Sequence, residues 1–505
     1  MVKKITKLLV CMLALAALTM IPFAGVYADD AESSGGAIVT INGESKTYTD
    51  MAEGWNAAWE AVYGTSAKVV FQLQQDWIAY DMGSGRGFNE GRIMACNGDL
   101  TIDLNGHTLG RNLRSPKDYG AVIYIPQYGE LYITDSNPTV YNYSDAIAGG
   151  VITGGWSNTD GGLIDMEGGE LYMTGGSFVN GATNGDGGAI KMTGTLNIVE
   201  ISNVRFIGNS TQSSKDNAHG GAIYIDSQDS TIELTNCSFE DNYSEDNGGA
   251  IYMNDSVQLT AKNVTFSGNT CKDDGGAVFS HSTKLAVYDN CTFYNNHADG
   301  SGGAIYTNKD GGTEIKNTEM IYNSAGKEGG AWYINDWKTY MYNVTVENNT
   351  ASGKGGGIYV DSYYDTNLQG LMVIRNNTSD KEARTSNLFL QTGLGDSSQA
   401  RFVNGGCDPG SEVHYGTDNN GASRVCNEMT EFQLQYFHTD EKSQELAITG
   451  TRTSEYSVAS TITSTNKWVL YAGATALAAA IVIIIIFKRK NRKEELNEKS
   501  ISGKF

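Results

Sequence analysis

The chain has 505 residues, and its 58 acidic and 36 basic side chains leave a net charge of −22. A field of that sign repels phosphate backbones, which excludes nucleic acid as a natural partner and leaves cations or basic protein surfaces as the complement; acidity also serves solubility. Seven cysteines are too few for a disulfide scaffold in a chain this long, and five prolines leave most of the backbone able to donate its N–H groups.

Residues 1–28 have the three-part layout of a secretory signal. Lys3, Lys4 and Lys7 precede an apolar stretch from Leu8 to Phe23, and Val26-Tyr27-Ala28 stands before Asp29. Residues 29–99 read as an N-terminal cap and lead-in. Within them Asp50-Met-Ala-Glu53 is a capping box that predicts a short helix over about 51–63. Cys11 leaves with the signal, and Cys96 has no evident disulfide partner.

Residues 100–450 read as a repeat array, clearest over 161–378. Gly-Gly followed by a small and then an apolar residue recurs at Gly187, Gly220, Gly248, Gly275, Gly302, Gly329 and Gly355. A second motif, Asn-x-x-Phe-x-x-Asn, recurs around Phe206, Phe239, Phe266 and Phe293, and Phe239, Phe266, Phe293 and Met320 are spaced by 27. Between the markers lie short apolar alternations of period 2, such as Ile232-Glu233-Leu234, broken by Gly, Asn, Asp and Ser. Turn density excludes helical repeats, and propeller blades need about 40 residues or more. The remaining fold class is all-β: a right-handed parallel β-helix, with a short N-terminal capping helix and one C-terminal transmembrane helix. Each coil buries its apolar side by stacking on its neighbours.

Stacking at about 4.8 Å per coil explains the markers. Asn203, Asn236, Asn263, Asn290, Asn317 and Asn343 form one predicted amide ladder. Asn209, Asn242, Asn269, Asn296, Asn323, Asn349 and Asn377 form another. Phe206, Phe239, Phe266 and Phe293 form an apolar column. The glycine pairs supply positive φ at a tight corner. Cys237 and Cys291 share the site of Val204 and Val264 and lie two coils apart, roughly 9.6 Å by strand spacing, which is too far for a disulfide. They are expected to be free thiols.

Two surface features invite chemistry. Tyr224, Tyr252, Phe279, Tyr306, Tyr333 and Tyr359 occupy one site in successive coils. If Ile223, Ile251 and Ile305 point inward, these aromatics face outward. The ladder then either grips a glycan or protein, or stiffens the coil by pairing between strands. Asp186, Asp246, Asp274, Asp299 and Glu328 mark an acidic corner. It is the one candidate for weak calcium binding, no other cofactor being implied, and solvated turn positions are the better account of it, since acidic residues are ordinary at such corners. No clustered acid and base, and no metal-ligand spacing such as His-x-x-x-His, marks a catalytic centre.

Cys407 and Cys426 lie outside the main repeats, as a possible pair. Residues 451–467 are rich in Ser and Thr and read as a stalk. Trp468 to Phe487 is an uncharged run of 20 residues, about 30 Å as a helix, which predicts a transmembrane segment. Lys488, Arg489, Lys490, Arg492 and Lys493 follow, so the tail 488–505 is expected in the cytoplasm and the rest outside. The signal carries +3 and the tail +4, leaving about −29 for the displayed part.

The Gly-Gly-Ala-Ile and Phe-x-x-Asn tandem resembles the repeats of polymorphic outer-membrane, autotransporter-type adhesins over roughly 161–378. Those proteins end in a membrane barrel, whereas a single helix here implies a Gram-positive-type envelope. The segment Leu100-Thr-Ile-Asp-Leu-Asn-Gly-His-Thr-Leu109 resembles the first coil of a wider group of exported bacterial surface proteins. In that group a short segment like 51–63 caps the coil. Tyr436-Phe437-His438-Thr439-Asp440 resembles a motif near the end of such ectodomains. The resemblance implies an adhesin-like protein of the cell surface, recognising host or environmental glycans or secreted proteins such as mucins or immunoglobulins. A polysaccharide lyase or hydrolase and a purely structural surface component are the alternatives.

Overall fold

The computed structural model describes residues 36–159, 161–213, 218–254, 256–281, 283–308, 311–336, 338–361, 365–380, 387–390, 401–417, 426–427 and 437–439. The signal, stalk, transmembrane and tail segments lie outside the described residues. Among the described residues no helix is long and apolar enough to cross a membrane.

The chain is a right-handed parallel β-helix of about 12 turns. One coil shows the unit. Thr231–Thr235, Ser238–Glu240, Tyr243–Ser244 and Ile251–Asn254 are its four strands. Each pairs in parallel with its counterpart one coil on: Thr231 faces Gln258, Ser238 faces Thr265, Tyr243 faces Thr270 and Ile251 faces Val278. Alternation sends Ile232 and Leu234 inward and Glu233 outward.

The register stacks like on like. Phe178, Phe206, Phe239, Phe266, Phe293 and Met320 are consecutive partners, all fully buried. The phenylalanine rings lie 4.5–5.0 Å apart, centroid to centroid. Burying one such side chain stabilises by about 1.5–3 kcal/mol.

The two asparagine ladders differ in kind. Asn209, Asn242, Asn269, Asn296, Asn323, Asn349 and Asn377 are buried. The Oδ1 of Asn269 accepts from both the backbone N–H and the side-chain Nδ2 of Asn242, at 3.1 and 2.9 Å, and the pattern repeats coil by coil. The ladder runs one rung further than the motif, to Asn387. The other ladder is exposed. Asn203, Asn236, Asn263, Asn290, Asn317 and Asn343 all have φ between 50° and 56°, the left-handed region that asparagine tolerates. Amide-to-amide bonds link most of them, but the Asn317 Nδ2 donates to Asp289 instead of Asn290. The carboxylate is the stronger acceptor.

The glycines of each pair have separate reasons. The first adopts positive φ, 75° at Gly275. The second lies against the next coil: a Cβ on Gly276 would meet the Gly303 carbonyl oxygen at 2.1 Å.

The upstream end departs from the parallel pattern. Strand β1 (Ala37–Ile41) pairs antiparallel with both β2 (Glu44–Tyr48) and β3 (Val69–Leu73), and β3 pairs in parallel with Leu100–Asp103. Helix α1 (Met51–Val62) lies against β1 and β3. The Asp50 side chain accepts from the Glu53 N–H at 2.7 Å, and Trp55 donates its Nε1–H to the Gly87 carbonyl. In the segment 100–109, Asp103 accepts from the Asn105 and Ser136 amides, which ties its turn to the next coil.

Cys237, Cys271, Cys291, Cys96 and Cys407 are free, buried thiols. Cys426 falls opposite Phe402 in register, not opposite Cys407; its side chain lies outside what is described.

Candidate functional site

The strand after each glycine pair carries the aromatic site. In Ile223–Asp226, Ile223 and Ile225 are buried while Tyr224 is half-buried and Asp226 exposed. The aromatics therefore stand on the outer side of the sheet. Tyr224, Tyr252, Phe279, Tyr306, Tyr333 and Tyr359 are successive register partners. Their centroids lie 4.6–5.2 Å apart with interplanar angles of 1–22°. Phe389 extends the stack beyond Tyr359. Outward placement and ring pairing thus hold together. The ring faces are turned to one another, and edges and hydroxyls remain. Tyr252, Phe279 and Tyr359 are 6–8 % exposed.

Each open end of the stack carries a cation. Lys191 is the register partner of Tyr224, with Nζ 6.0 Å from the ring centroid and 3.6 Å from Asp186 Oδ2. Lys354 sits 4.5 Å over Phe389. Further upstream the same column contains Tyr124 and Asp165. There Arg92 lies 4.4 Å from the Tyr124 centroid and forms a buried 2.8 Å ion pair with Asp165.

A polar column runs beside the aromatics, two residues on in every coil: Asp226, Asn254, His281, Asn308, Asn335 and Asp361. Motif scanning missed it, although the spacing aromatic-x-polar recurs in all six coils. Tyr224 and Tyr333 donate their hydroxyls to Asp226 and Asp361, at 3.3 and 2.7 Å. Asn254 donates to Asp226.

The acidic corner lies on the other flank. Its members act mainly one at a time. Asp186 accepts the His219 N–H, Asn247 accepts the Asp274 N–H, and Asp274 accepts the Ser301 N–H. The residue before the glycine pair thus takes an amide from the next coil in five successive coils, from Asp186 to Ser301, which is why Asp, His, Asn and Ser serve there. Asp246 stands 3.7 Å from His219 Nδ1, Asp299 3.1 Å from His297 Nε2, and Glu328 3.5 Å from the Ser301 hydroxyl. Among the described residues no group of three His, Cys, Asp or Glu side chains gathers to hold a metal ion. The five calcium candidates lie one to a coil in five coils, none in the coil of His219, and do not converge.

The corner and the aromatic ladder, separate in the sequence, become neighbours. The His219 ring stacks on Tyr252 at 4.4 Å. Burial, with Asp226, Asp186 and Asp246 adding to it, pushes the Tyr252 phenol up to about 12. Burial followed by Asp274 and Asp361 raises Tyr306 likewise. Burial pushes the Asp274 carboxyl up to about 6, against the hydrogen bond from Ser301. Each phenol is therefore un-ionised at neutral pH, a hydrogen-bond donor between carboxylates.

Residues 188–378 match the family model described as "Right handed beta helix region", a span that contains the whole ladder from Tyr224 to Tyr359. No curated protein and no solved structure matches the chain. The match and the coil together make this a parallel β-helix protein; the fold alone does not assign an activity.

Proposed function

We propose that this chain is an adhesin-like binding protein of the cell surface, and that its binding face is the stripe from Tyr224 to Tyr359. The observation that carries this reading is the outward row of aromatic rings, one per coil and five of the six of them phenols, with a polar column on each side. Such a face repeats its contacts along a line, which suits a linear macromolecule, a host or environmental glycan or a segment of a secreted protein. Tyrosine offers contact area and a hydrogen-bonding tip at small entropic cost. In this reading residues 1–28 direct export, α1 closes the upstream end of the coil, and 468–487 tether the protein with 488–505 inside. The likeness of the repeats to polymorphic autotransporter-type adhesins supports the same reading.

The test uses full-length protein immobilised and exposed to mucosal secretions and to a glycan array. Saturable capture is expected, and a Tyr306→Phe/Tyr333→Phe variant should weaken it. Phe279 and Phe389 already stand in the stack, so phenylalanine keeps the column and removes only hydroxyls. No saturable capture, or capture indifferent to the variant, refutes the stripe as the binding face.

One observation favours a second reading, a polysaccharide hydrolase: burial, with Asp273 and then Asp246 adding to it, pushes the Asp274 carboxyl up to about 6, in the range of a general acid. New reducing ends from pectin, alginate or glycosaminoglycans would decide for it. Those substrates are polyanions, and a stripe flanked by carboxylates opposes them.

A further inference from the structure

We propose that the occupant of the stripe is an extended, arginine- or lysine-rich segment of a partner protein. This rests on the reading of the stripe as the binding face and adds the chemistry of what it takes.

The first argument is what the stack leaves uncovered. With centroids about 5 Å apart and nearly parallel planes, the ring faces between Tyr224 and Phe389 are occupied by their neighbours. A flat or ring-shaped ligand has no aromatic face to lie on. It meets hydroxyls and carboxylates.

The second argument is charge. Asp226 and Asp361 stand on the strand side, and Asp186, Asp274 and Glu328 on the turn side. Across the six aromatic coils neither the aromatic column nor its polar neighbour contains Lys or Arg. The chain's own cations meet the aromatic rings at the two ends of the stack, and on the turn side Lys327 stands 3.6 Å from Asp273. Lys191 donates to the Thr159 carbonyl at 2.7 Å with Asp186 3.6 Å and the Tyr224 ring centroid 6.0 Å away, and Lys354 covers Phe389. These two side chains show how an ammonium group sits in this column. The stretch between them offers a cation from outside the same two kinds of neighbour, aromatic edges and carboxylates. Guanidinium suits it best, because its planar fork matches a carboxylate.

The third argument is length. Five steps of about 4.8 Å separate Tyr224 from Tyr359, roughly 24 Å, which about seven extended residues cover at 3.4 Å each.

The experiment measures fluorescence anisotropy of a labelled nona-arginine peptide titrated with full-length protein. A nona-glutamate peptide and a neutral chito-oligosaccharide serve as the other probes. Saturable binding of the arginine peptide is expected in 50 mM NaCl, at least tenfold weaker in 500 mM. An Asp226→Asn/Asp274→Asn/Asp361→Asn variant should bind at least tenfold more weakly, asparagine keeping an acceptor oxygen at each site. A Glu200→Gln/Glu233→Gln/Glu319→Gln variant removes the same charge from exposed positions on other faces and should bind as the parent does. Equal weakening by both variants reduces the effect to net charge and overturns the proposal. So does absence of saturation, or binding of the neutral sugar in place of the peptide. If natural capture depends on the Tyr306 and Tyr333 hydroxyls while the peptide fails, the face stands and the basic ligand falls. If neither responds, both fall.

Discussion

Replacing Asn269 by alanine should cost far more than replacing Asn236, although the motif spacing makes the two look alike. Asn269 is fully buried. Its Oδ1 accepts two bonds from Asn242, and its Nδ2 donates to the Phe239 carbonyl and to Asn296 Oδ1, all at 2.9–3.1 Å. Alanine removes all four and leaves the Asn242 backbone N–H and one of its Nδ2 hydrogens without their acceptor where water does not reach, while Asn296 Oδ1 keeps only the backbone N–H of residue 269. At about 1 kcal/mol net per bond the loss is about 4 kcal/mol, before any further desolvation penalty. Asn236 is exposed at the corner, and water can replace its amide bonds. Alanine there pays mainly for the left-handed backbone at φ 54°, about 1–2 kcal/mol. Urea titration of the full-length variants, followed by tryptophan fluorescence, compares the two midpoints. Native-state hydrogen exchange at the Asn242 and Asn296 amides then localises the loss, since coils in a solenoid can open locally. If the two variants lose equal stability, or if protection around Asn242 is unchanged in Asn269→Ala, the buried ladder is not what holds adjacent coils together.

Three more outcomes follow from the coil. Gly275→Ala and Gly276→Ala should both disturb the fold, because each Cβ would meet a backbone oxygen, Val278 O at 2.4 Å and Gly303 O at 2.1 Å, and Gly275 adds the strain of φ 75°; circular dichroism melts should place both variants below the parent, and a parent-like melt of either would contradict the packing. Asp336 is buried, its Oδ2 accepts from the Thr313 hydroxyl at 2.6 Å, and burial pushes its carboxyl up to about 7 from 3.8. The folded state therefore keeps a proton that the unfolded chain has lost. Stability should fall as pH rises from about 4 to about 7, by up to about 4 kcal/mol, and Asp336→Asn should flatten that slope in urea titrations at stepped pH. Burial also raises the Cys237 and Cys291 thiols, to about 11 and 12. These two should resist a thiol-titrating disulfide reagent in the native protein and react only on unfolding; rapid native labelling would contradict their placement in the core.

Much of the architecture is legible in the residues because the period brings identical side chains together. Phe239 and Phe266 lie 27 apart in the chain and face each other in the sheet, so a spacing becomes a contact. The side on which an aromatic stands follows from alternation with Ile223 and Ile225. What its ring touches does not follow, because stacking depends on the side-chain angles of neighbouring coils. The polar column beginning at Asp226 was written plainly at every second residue after the aromatic. It escaped notice because its members differ in type, while Tyr and Phe repeat. The glycine pairs look like one device, yet Gly275 serves a backbone angle and a clearance within its own turn, and Gly276 a clearance between coils. Clearance between coils belongs to the assembled stack and has no local signature. The neighbourhood of His219 and Tyr252 is likewise tertiary: 33 residues and one full turn of chain separate them. The upstream end was the least legible. Its antiparallel strands β1 and β2 have no repeat to announce them, and only the capping box at Asp50 gave α1 away.

The 27-residue period between Phe239 and Met320 also has a consequence for how such a chain can change. Removing residues 263–289 would join Lys262 to Asn290, and every column would simply close up by one place. A loss of 27 residues would spare the pattern that a loss of one would throw out of phase. The molecule can thus be lengthened or shortened in whole turns, like a spring cut between windings, with its reach altered and its cross-section kept.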